Sequence, residues 1–343
     1  MNLNSVDKKI LEIAYRGEFV KMIEALLKFL FDLHFDSMNI INHPGFLSLL
    51  LDIKESDFKK SMNKNSPLKV LKLIDTGRDG DYFEVSKTIK QIMNQPISSK
   101  NEFRRLLIGN PLHSKLKWND FVYMETEIQY LKQLISHAII NQEKGMNILL
   151  YGIPGTGKTE FSQVLCNHLK IPLYRTDLEN SMLEDEPSRE DRICSMLLIQ
   201  KMFENNHKKC CLLFDEAEDF FCKPNPFSNE SSSKMFTNYL LENNPVPVIW
   251  TSNHVSYLDP AYIRRFTHIV HFKKMPKEFS LKLWKKENKK KGLALPLQRL
   301  KELNQEFDIA PSEITKALAF SAFTDQTGDA VESNLQGTIK AIR

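Results

Sequence analysis

A glycine-rich turn decides the fold: GIPGTGKT runs from Gly152 to Thr159, directly after the apolar run MNILLY (Met146–Tyr151). It fits the pattern G-x-x-x-x-G-K-[ST], with a predicted strand before it and a predicted helix after it. Glycines let successive backbone N–H groups converge on phosphate oxygens, and the start of the helix adds a favourable dipole. The pattern therefore predicts a phosphate-binding loop. The alternative is a tight strand-to-helix turn without a ligand.

Within this loop, the residue types predict roles toward ATP and Mg²⁺. Lys158 is expected to reach the β- and γ-phosphates, and the hydroxyl of Thr159 to bind Mg²⁺. The residues expected to contact the nucleotide are Gly152, Pro154, Gly155, Thr156, Gly157, Lys158, Thr159 and Glu160.

A second apolar strand, in CLLFDEAEDFF, ends in Asp215 and Glu216. Ligands of parallel α/β sheets bind at the carboxyl ends of the strands. We therefore expect Asp215 to hold Mg²⁺ through water, as part of the nucleotide site, and Glu216 to orient or activate the attacking water. The alternative is an acidic helix start. That alternative accounts for one acid, but not for the position of both after a second buried strand.

Two polar features follow along the chain. Asn253 ends the predicted strand PVIWTSN and is expected to sense the γ-phosphate and help to position water, mainly because of its place after the two earlier strands. Arg264 and Arg265 follow in LDPAYIRRF. Arginine that neutralises charge on a transferring phosphate is worth about 10³ to 10⁵ in rate in GTPases. The alternative for the two arginines is a solvated basic pair.

The order of apolar segments predicts an α/β fold: a P-loop NTPase parallel sheet flanked by helices, with an N-terminal helical region and a C-terminal helical lid. The predicted domains are residues 1–110, 111–273 and 274–343. In the first, Asp75–Tyr82 is predicted to be a turn-rich loop. An apolar stripe there is predicted to be a core face, the alternative being a partner surface; it comprises Met22, Ile23, Leu26, Leu27, Leu30 and Phe31.

The positive charge of the chain is concentrated in one segment near its C-terminal end. Of the 343 residues with net charge +4, the segment Lys273–Lys301 holds eleven basic and two acidic residues. We expect a local helix there with Leu281, Leu283 and Trp284 inward and its lysines outward, as a solvated face or an intersubunit contact. A contact with nucleic acid or an acidic surface is the alternative.

The chain shows no apolar run of the roughly 18 residues that a membrane helix needs, and its first thirty residues lack the order of a secretory signal. We therefore expect a cytoplasmic protein. An odd number of cysteines without C-x-x-C disfavours a disulfide framework or a zinc site, and most are expected to be small buried hydrophobes. They are Cys166, Cys194, Cys210, Cys211 and Cys222.

Together, GIPGTGKT, CLLFDEAE, TSN and LDPAYIRRF resemble in type and order the motifs of the AAA ATPases, the branch that includes spastin, katanin and membrane-anchored bacterial proteases. The resemblance covers Lys117–Phe323 and is closer still to a bacterial group with an N-terminal helical region. Lys117–Ile135 is similar to the entry segment beside adenine, and Ala310–Leu318 to the lid helix. The resemblance implies a five-stranded sheet and a ring, usually hexameric, in which Arg264 and Arg265 act on the neighbour's nucleotide.

Three positions depart from the family pattern. Thr267 replaces the acidic residue after RF, and Pro311 replaces the glycine of the lid motif. The stretch Glu179–Asp191 corresponds to the substrate-gripping pore loop, yet it has no aromatic residue and no glycine. This departure argues against threading of a peptide through a ring.

The leading hypothesis is an ATP-hydrolysing protein that remodels an unidentified protein or complex as a homo-oligomeric ring, with residues 1–110 recruiting the target. One alternative is a nucleotide-dependent assembly switch with slow hydrolysis and no threading. Another is a small-molecule kinase, which would have no use for Asn253 followed by paired arginines. Nucleic acid is not indicated, and no H-E-x-x-H protease motif occurs.

Overall fold

The computed structural model separates the chain into two compact units. The first comprises Met1–Asn110 and Thr176–His207, and the second comprises Pro111–Arg175 and Lys208–Arg343. The structure describes residues 3–19, 22–23, 44–63, 66–71, 73–76, 83–85, 96–176, 189–204, 209–221, 231–256, 258–324 and 327–342. Within these ranges, no helix combines the length and apolar character needed to cross a bilayer.

In its described residues, the first unit combines helices of 4 to 16 residues with one antiparallel strand pair. Its elements are α1 (Ser5–Phe19), α2 (Pro44–Leu50), α3 (Glu55–Met62), α4 (Pro67–Val70), β1 (Ile74–Thr76), β2 (Phe83–Val85), α5 (Lys100–Ile108) and α8 (Arg189–Glu204), numbered in chain order with the second unit. Their core includes Ile10, Phe58 and Leu68. β1 and β2 pair antiparallel. The loop predicted over Asp75–Tyr82 is therefore wrong at Asp75 and Thr76.

Two further predictions fall on this unit. Met22 is exposed, so the interpretation of the apolar stripe as a core face is wrong for that residue; Leu26, Leu27, Leu30 and Phe31 lie outside the described residues. Helix α8 lies in this unit, where the Arg104 guanidinium sits 4.4 Å from the centre of the Phe203 ring. The domain boundaries at 110/111 and 273/274 stay a prediction.

The second unit holds an α/β layer and four helices at its C-terminal end. Its elements are a 3₁₀ segment (Trp118–Met124), α6 (Glu125–Asn141), β3 (Asn147–Tyr151), α7 (Lys158–Leu169), β4 (Leu173–Arg175), β5 (Cys211–Phe214), α9 (Glu218–Phe221), α10 (Ser231–Asn243), β6 (Val248–Ser252), α11 (Pro260–Ile263), β7 (His268–His271), α12 (Lys277–Lys290), α13 (Leu297–Glu306), α14 (Pro311–Phe323) and α15 (Gly328–Ile342).

A five-stranded parallel sheet forms the centre of this unit, in the order β4-β5-β6-β3-β7. Strands β3, β5 and β6 are almost entirely buried, as expected where helices cover both faces of a parallel sheet. Cys166 and Cys211 are in the same core, and Cys210 is also buried. The predicted α/β fold with a parallel sheet flanked by helices is confirmed.

The last four helices pack around an apolar core of their own, which includes Leu303, Ile314 and Leu318. Trp284 on α12 is fully buried in it, and Leu281 and Leu283 pack against it. The lysines of α12 point outward: Lys282, Lys285, Lys286, Lys289 and Lys290 are exposed. The predicted division of this helix into an apolar and a basic face is confirmed.

The lid core generates a stability prediction. Leu303→Ala removes a side chain with 0% exposure and should lower the free energy of unfolding by about 2 to 5 kcal/mol. Leu297→Ala, in the same helix at 47% exposure, is the matched control, with an expected change below about 0.5 kcal/mol. Urea unfolding followed by tryptophan fluorescence measures both, because all three tryptophans lie in the second unit. Equal shifts for the two variants would contradict the assigned core.

Candidate functional site

The loop between β3 and α7 adopts a conformation that requires glycine. Gly152 has φ +149°, and a Cβ there would lie 2.2 Å from the carbonyl oxygen of Phe272. Gly155 has φ +76°, and a Cβ would lie 2.0 Å from Oγ of Ser312. Gly157, at φ +94°, directly precedes the first residue of α7. L-residues rarely adopt such φ values, so the glycines permit both the turn and the close approach of neighbouring chain.

Lys158 is buried at the start of α7, with 7% exposure. Its Nζ donates to the carbonyl oxygens of Gly152 (2.7 Å) and Ile153 (3.2 Å) and to Oδ1 of Asn253 (2.9 Å). Burial lowers the pKa of the Lys158 ammonium group, while the negative charge of Glu218 opposes that change most among the neighbouring carboxylates. The glycine loop therefore encloses a cation whose three acceptors come from the loop itself and from the end of β6.

Thr159 and Asp215 bring a hydroxyl and a carboxylate together. Oγ1 of Thr159 lies 3.0 Å from both Oδ1 and Oδ2 of Asp215, and Thr251 Oγ1 also donates to Oδ1. Mg²⁺ prefers oxygen ligands and is commonly held by one or two carboxylates together with substrate phosphates and water. The hydroxyl and the carboxylate lie beside a glycine loop that has no room for a Cβ atom at Gly152 or Gly155. The donor set therefore fits Mg²⁺ with a bound nucleotide.

The loop after β5 is held to the end of β6 by hydrogen bonds. The backbone N–H of Glu216 donates to Oγ1 of Thr251 (3.0 Å), and that of Ala217 donates to the Thr251 carbonyl oxygen (2.8 Å). Glu216 is exposed and has φ +49°, a left-handed conformation that is uncommon for a non-glycine residue. These bonds keep Glu216 in that conformation at the edge of the site.

Both the side chain and the backbone of Asn253 make hydrogen bonds to neighbouring groups of the site. Its Oδ1 accepts from Lys158, and its backbone N–H donates to Oε1 of Glu218. The hydroxyl of Ser252 donates to the same carboxylate oxygen at 3.2 Å. Sequence reasoning did not assign a role to Glu218. The available signal was a third carboxylate in DEAED, which is equally typical of a helix start.

The two adjacent arginines have different surroundings. Arg265 donates from Nε to Oε1 of Glu242 (2.7 Å) and from Nη1 to the Ala261 carbonyl oxygen (2.6 Å). Arg264 is exposed. Within the described ranges, neither arginine hydrogen-bonds to the loop Gly152–Thr159. The structure therefore brings together Lys158, Thr159, Asp215 and Asn253, but not the arginines, which the family resemblance assigns to a neighbour's site.

Other residues predicted to contact the nucleotide make hydrogen bonds within the chain. Oγ1 of Thr156 donates to the Ile153 carbonyl oxygen (2.9 Å), and the hydroxyl of Ser114 donates to the carboxylate of Glu160. Pro154 is exposed. The backbone N–H of Ser312, in α14, donates to the carbonyl oxygen of Gly155 at 3.3 Å. The start of α14 thus contacts the glycine loop directly.

The predicted entry segment lies beside the glycine loop. A Cβ on Gly157 would be 3.6 Å from the ring of Phe121, in the 3₁₀ segment. The ring of Tyr123 lies 5.5 Å from that of Phe279, and burial raises the pKa of Tyr123 to about 12. The entry segment thus places the ring of Phe121 beside the glycine loop. Residues 179–188 of the predicted pore-loop stretch Glu179–Asp191 lie outside the part of the chain that the structure describes.

Comparison with known proteins places residues 148–274 in the family described as "ATPase family associated with various cellular activities (AAA)". The chain is 23% identical over 220 residues to a cell division cycle ATPase of Plasmodium falciparum; the match covers 60% of this chain and 17% of that protein. It is 25% identical over 170 residues to vacuolar protein sorting-associated protein 4 of Dictyostelium discoideum, covering 44% and 36%. The chain thus spans about a third or less of these relatives.

A solved structure is also similar: the FIGL-1 AAA domain in complex with ADP, at 16% identity and a TM-score of 0.48, over 70% of this chain and 85% of that one. At that level of similarity the structural match does not identify a family, and the assignment rests on the match to the family model. Residues 148–274 match the AAA family model, and the chain therefore contains an AAA ATPase domain in this segment.

Proposed function

We propose that the chain binds ATP with Mg²⁺ and hydrolyses it, and that it uses the cycle to remodel a protein or complex as a ring oligomer. The observation that carries this proposal is the buried ammonium group of Lys158 inside the glycine loop. Asp215, which contacts Thr159 of α7, and the amide of Asn253 follow the carboxyl ends of β5 and β6. Ligands of parallel sheets bind at this edge.

Each residue of the proposed site has a separate role in phosphoryl transfer to water. The backbone N–H groups of the loop and Lys158 bind the phosphates, and Thr159 and Asp215 hold Mg²⁺, which supplies charge neutralisation when bound. Glu216 orients the water and accepts its proton as the water oxygen bonds to the γ-phosphorus. The bond from that phosphorus to the β,γ-bridging oxygen breaks, giving ADP and phosphate. Asn253 holds the γ-phosphate and the water in line.

The arginines are proposed to complete the site of a neighbouring copy. Arg264 is exposed, and it is the better candidate to reach across. Arg265, which the sequence pattern pairs with it, is anchored to Glu242 and to the Ala261 carbonyl oxygen, which favours a role in holding the segment. Each active site then needs two chains, so assembly and turnover are coupled.

A second candidate function is an assembly switch with slow hydrolysis and no threading. The observation that favours it is the absence of aromatic residues and glycine from Glu179–Asp191. In a remodelling ATPase, turnover rises with protein concentration and again with the target. In a switch, ATP changes the mass in solution while turnover stays slow at every concentration.

ATP binding is tested first at the loop. Lys158→Ala should weaken binding of ATP with Mg²⁺ about 10- to 100-fold, because a hydrogen bond to a charged group contributes about 1.5 to 3 kcal/mol. Lys170→Ala, at the exposed C-terminal end of the same helix, should leave the affinity unchanged. Isothermal titration calorimetry measures both. Unchanged affinity in Lys158→Ala would remove the central assignment of the site.

Hydrolysis is tested at Glu216. Glu216→Gln should keep ATP binding within about threefold and lower kcat by roughly 100-fold or more, because a positioned general base contributes about 10² to 10⁴ in rate. Phosphate release gives kcat, and calorimetry gives affinity. Glu306→Gln, an exposed carboxylate in the lid, is the control and should behave as the wild type. Normal turnover in Glu216→Gln would disprove its role.

The arrangement of two chains per site is tested by mixing inactive variants. Arg264→Ala and Glu216→Gln should each be inactive, yet a 1:1 mixture should recover about a quarter of wild-type turnover, because random rings place an intact Arg264 beside an intact Glu216 at about one interface in four. A parallel mixture with Arg265→Ala serves as the comparison. Recovery with Arg265→Ala but not with Arg264→Ala would reverse the assignment, and no recovery in either would contradict action across subunits.

A further inference from the structure

Glu218 ties together two loops that the proposed reaction needs. It is the first residue of α9, three positions after Asp215. Its Oε1 accepts from the backbone N–H of Asn253 and from the hydroxyl of Ser252. The side chain is partly buried, and Ser252 has 0% exposure. A carboxylate from the loop after β5 thereby receives two donors from the end of β6.

We propose that Glu218 is a positioning residue: by fixing the backbone at Asn253, it aims the side-chain amide of Asn253 into the phosphate site. The inference rests on the proposed function and adds to it a residue that acts through Asn253. Charge-assisted hydrogen bonds of a carboxylate to a backbone N–H are short and about twice as strong as neutral ones. One such bond, supported by the Ser252 hydroxyl, sets the direction in which Asn253 leaves the sheet.

The neighbouring carboxylates do not share this arrangement. Asp215 faces the hydroxyls of Thr159 and Thr251, and Glu216 contacts the β6 end through its backbone N–H. The side chain of Glu218 instead contacts the turn that carries Asn253, and Oδ1 of Asn253 in turn accepts from Lys158 at 2.9 Å. A continuous path of hydrogen bonds therefore runs from Glu218 through Asn253 to the loop cation.

The test uses the full chain, with ATP and Mg²⁺. Glu218→Ala should lower kcat roughly 10- to 100-fold, since misplacing a group by about 1 Å costs up to about 10² in rate, while ATP affinity stays within about threefold. Glu218→Gln keeps an acceptor oxygen at the same reach and should recover most of the lost rate. Glu218→Asp keeps the charge but shortens the reach, so it should resemble Glu218→Ala, and it replaces that variant if Glu218→Ala does not fold.

A double-mutant cycle with Asn253→Ala gives the readout that a merely structural role would not produce. If Glu218 acts through Asn253, Glu218→Ala should change kcat less than about twofold in the Asn253→Ala background. Multiplying effects, equal loss of affinity and rate, or unchanged kcat in Glu218→Ala would each overturn the proposal. A wild-type chain without turnover would defeat the proposed function itself, whereas normal wild-type turnover with an unaffected Glu218→Ala defeats only the positioning role.

Discussion

The parallel register of β3, β5 and β6 is the constraint on which the site depends. Leu150 pairs with Thr251, and Leu213 pairs with Ile249, so the three strands end at one edge of the sheet. Loops that are far apart in sequence then reach each other, as when the Gly152 N–H donates to the Ser252 carbonyl oxygen at 3.2 Å. A slip of one residue would turn every side chain of a strand to the opposite face. Such a slip would therefore move the side chains of the site out of contact with one another.

The buried ammonium group of Lys158 places a positive charge at that edge of the sheet. An ammonium group removed from water is costly unless acceptors and opposite charges surround it, and here three acceptors and the carboxylates after β5 do so. A phosphate that binds Lys158 competes with these internal acceptors, so its affinity reflects a difference between two satisfied states. Asn253 is one of the acceptors. In the proposed nucleotide complex, ligand binding at Lys158 would therefore change the hydrogen bonding of Asn253 at the end of β6.

Sequence reasoning succeeded where the signal is local. The strand, the glycine turn and the helix are contiguous, so spacing alone predicts the sheet and the loop. It assigned no role to Glu218, whose proposed positioning function depends on the backbone N–H of Asn253, 35 residues away, and backbone groups carry no sequence signal. It treated the two arginines alike because the distinction comes from Glu242, 23 residues earlier in the chain. The β1–β2 pair was missed for the same reason, since the pairing of short strands depends on tertiary packing.

Two of the departures from the family pattern have local structural explanations, and the third bears on the proposed recognition of a target. Thr267 replaces an acid, and its hydroxyl accepts from the Asn147 N–H at 3.2 Å, at the start of β3. Pro311 replaces a glycine at the first position of α14, where its fixed φ suits a helix start and no N–H is needed. Thr267 and Pro311 therefore each have a local structural role in this chain. The third departure falls in Glu179–Asp191, which includes none of the residues proposed to bind or hydrolyse ATP, so under the proposed function it bears on the target rather than on hydrolysis.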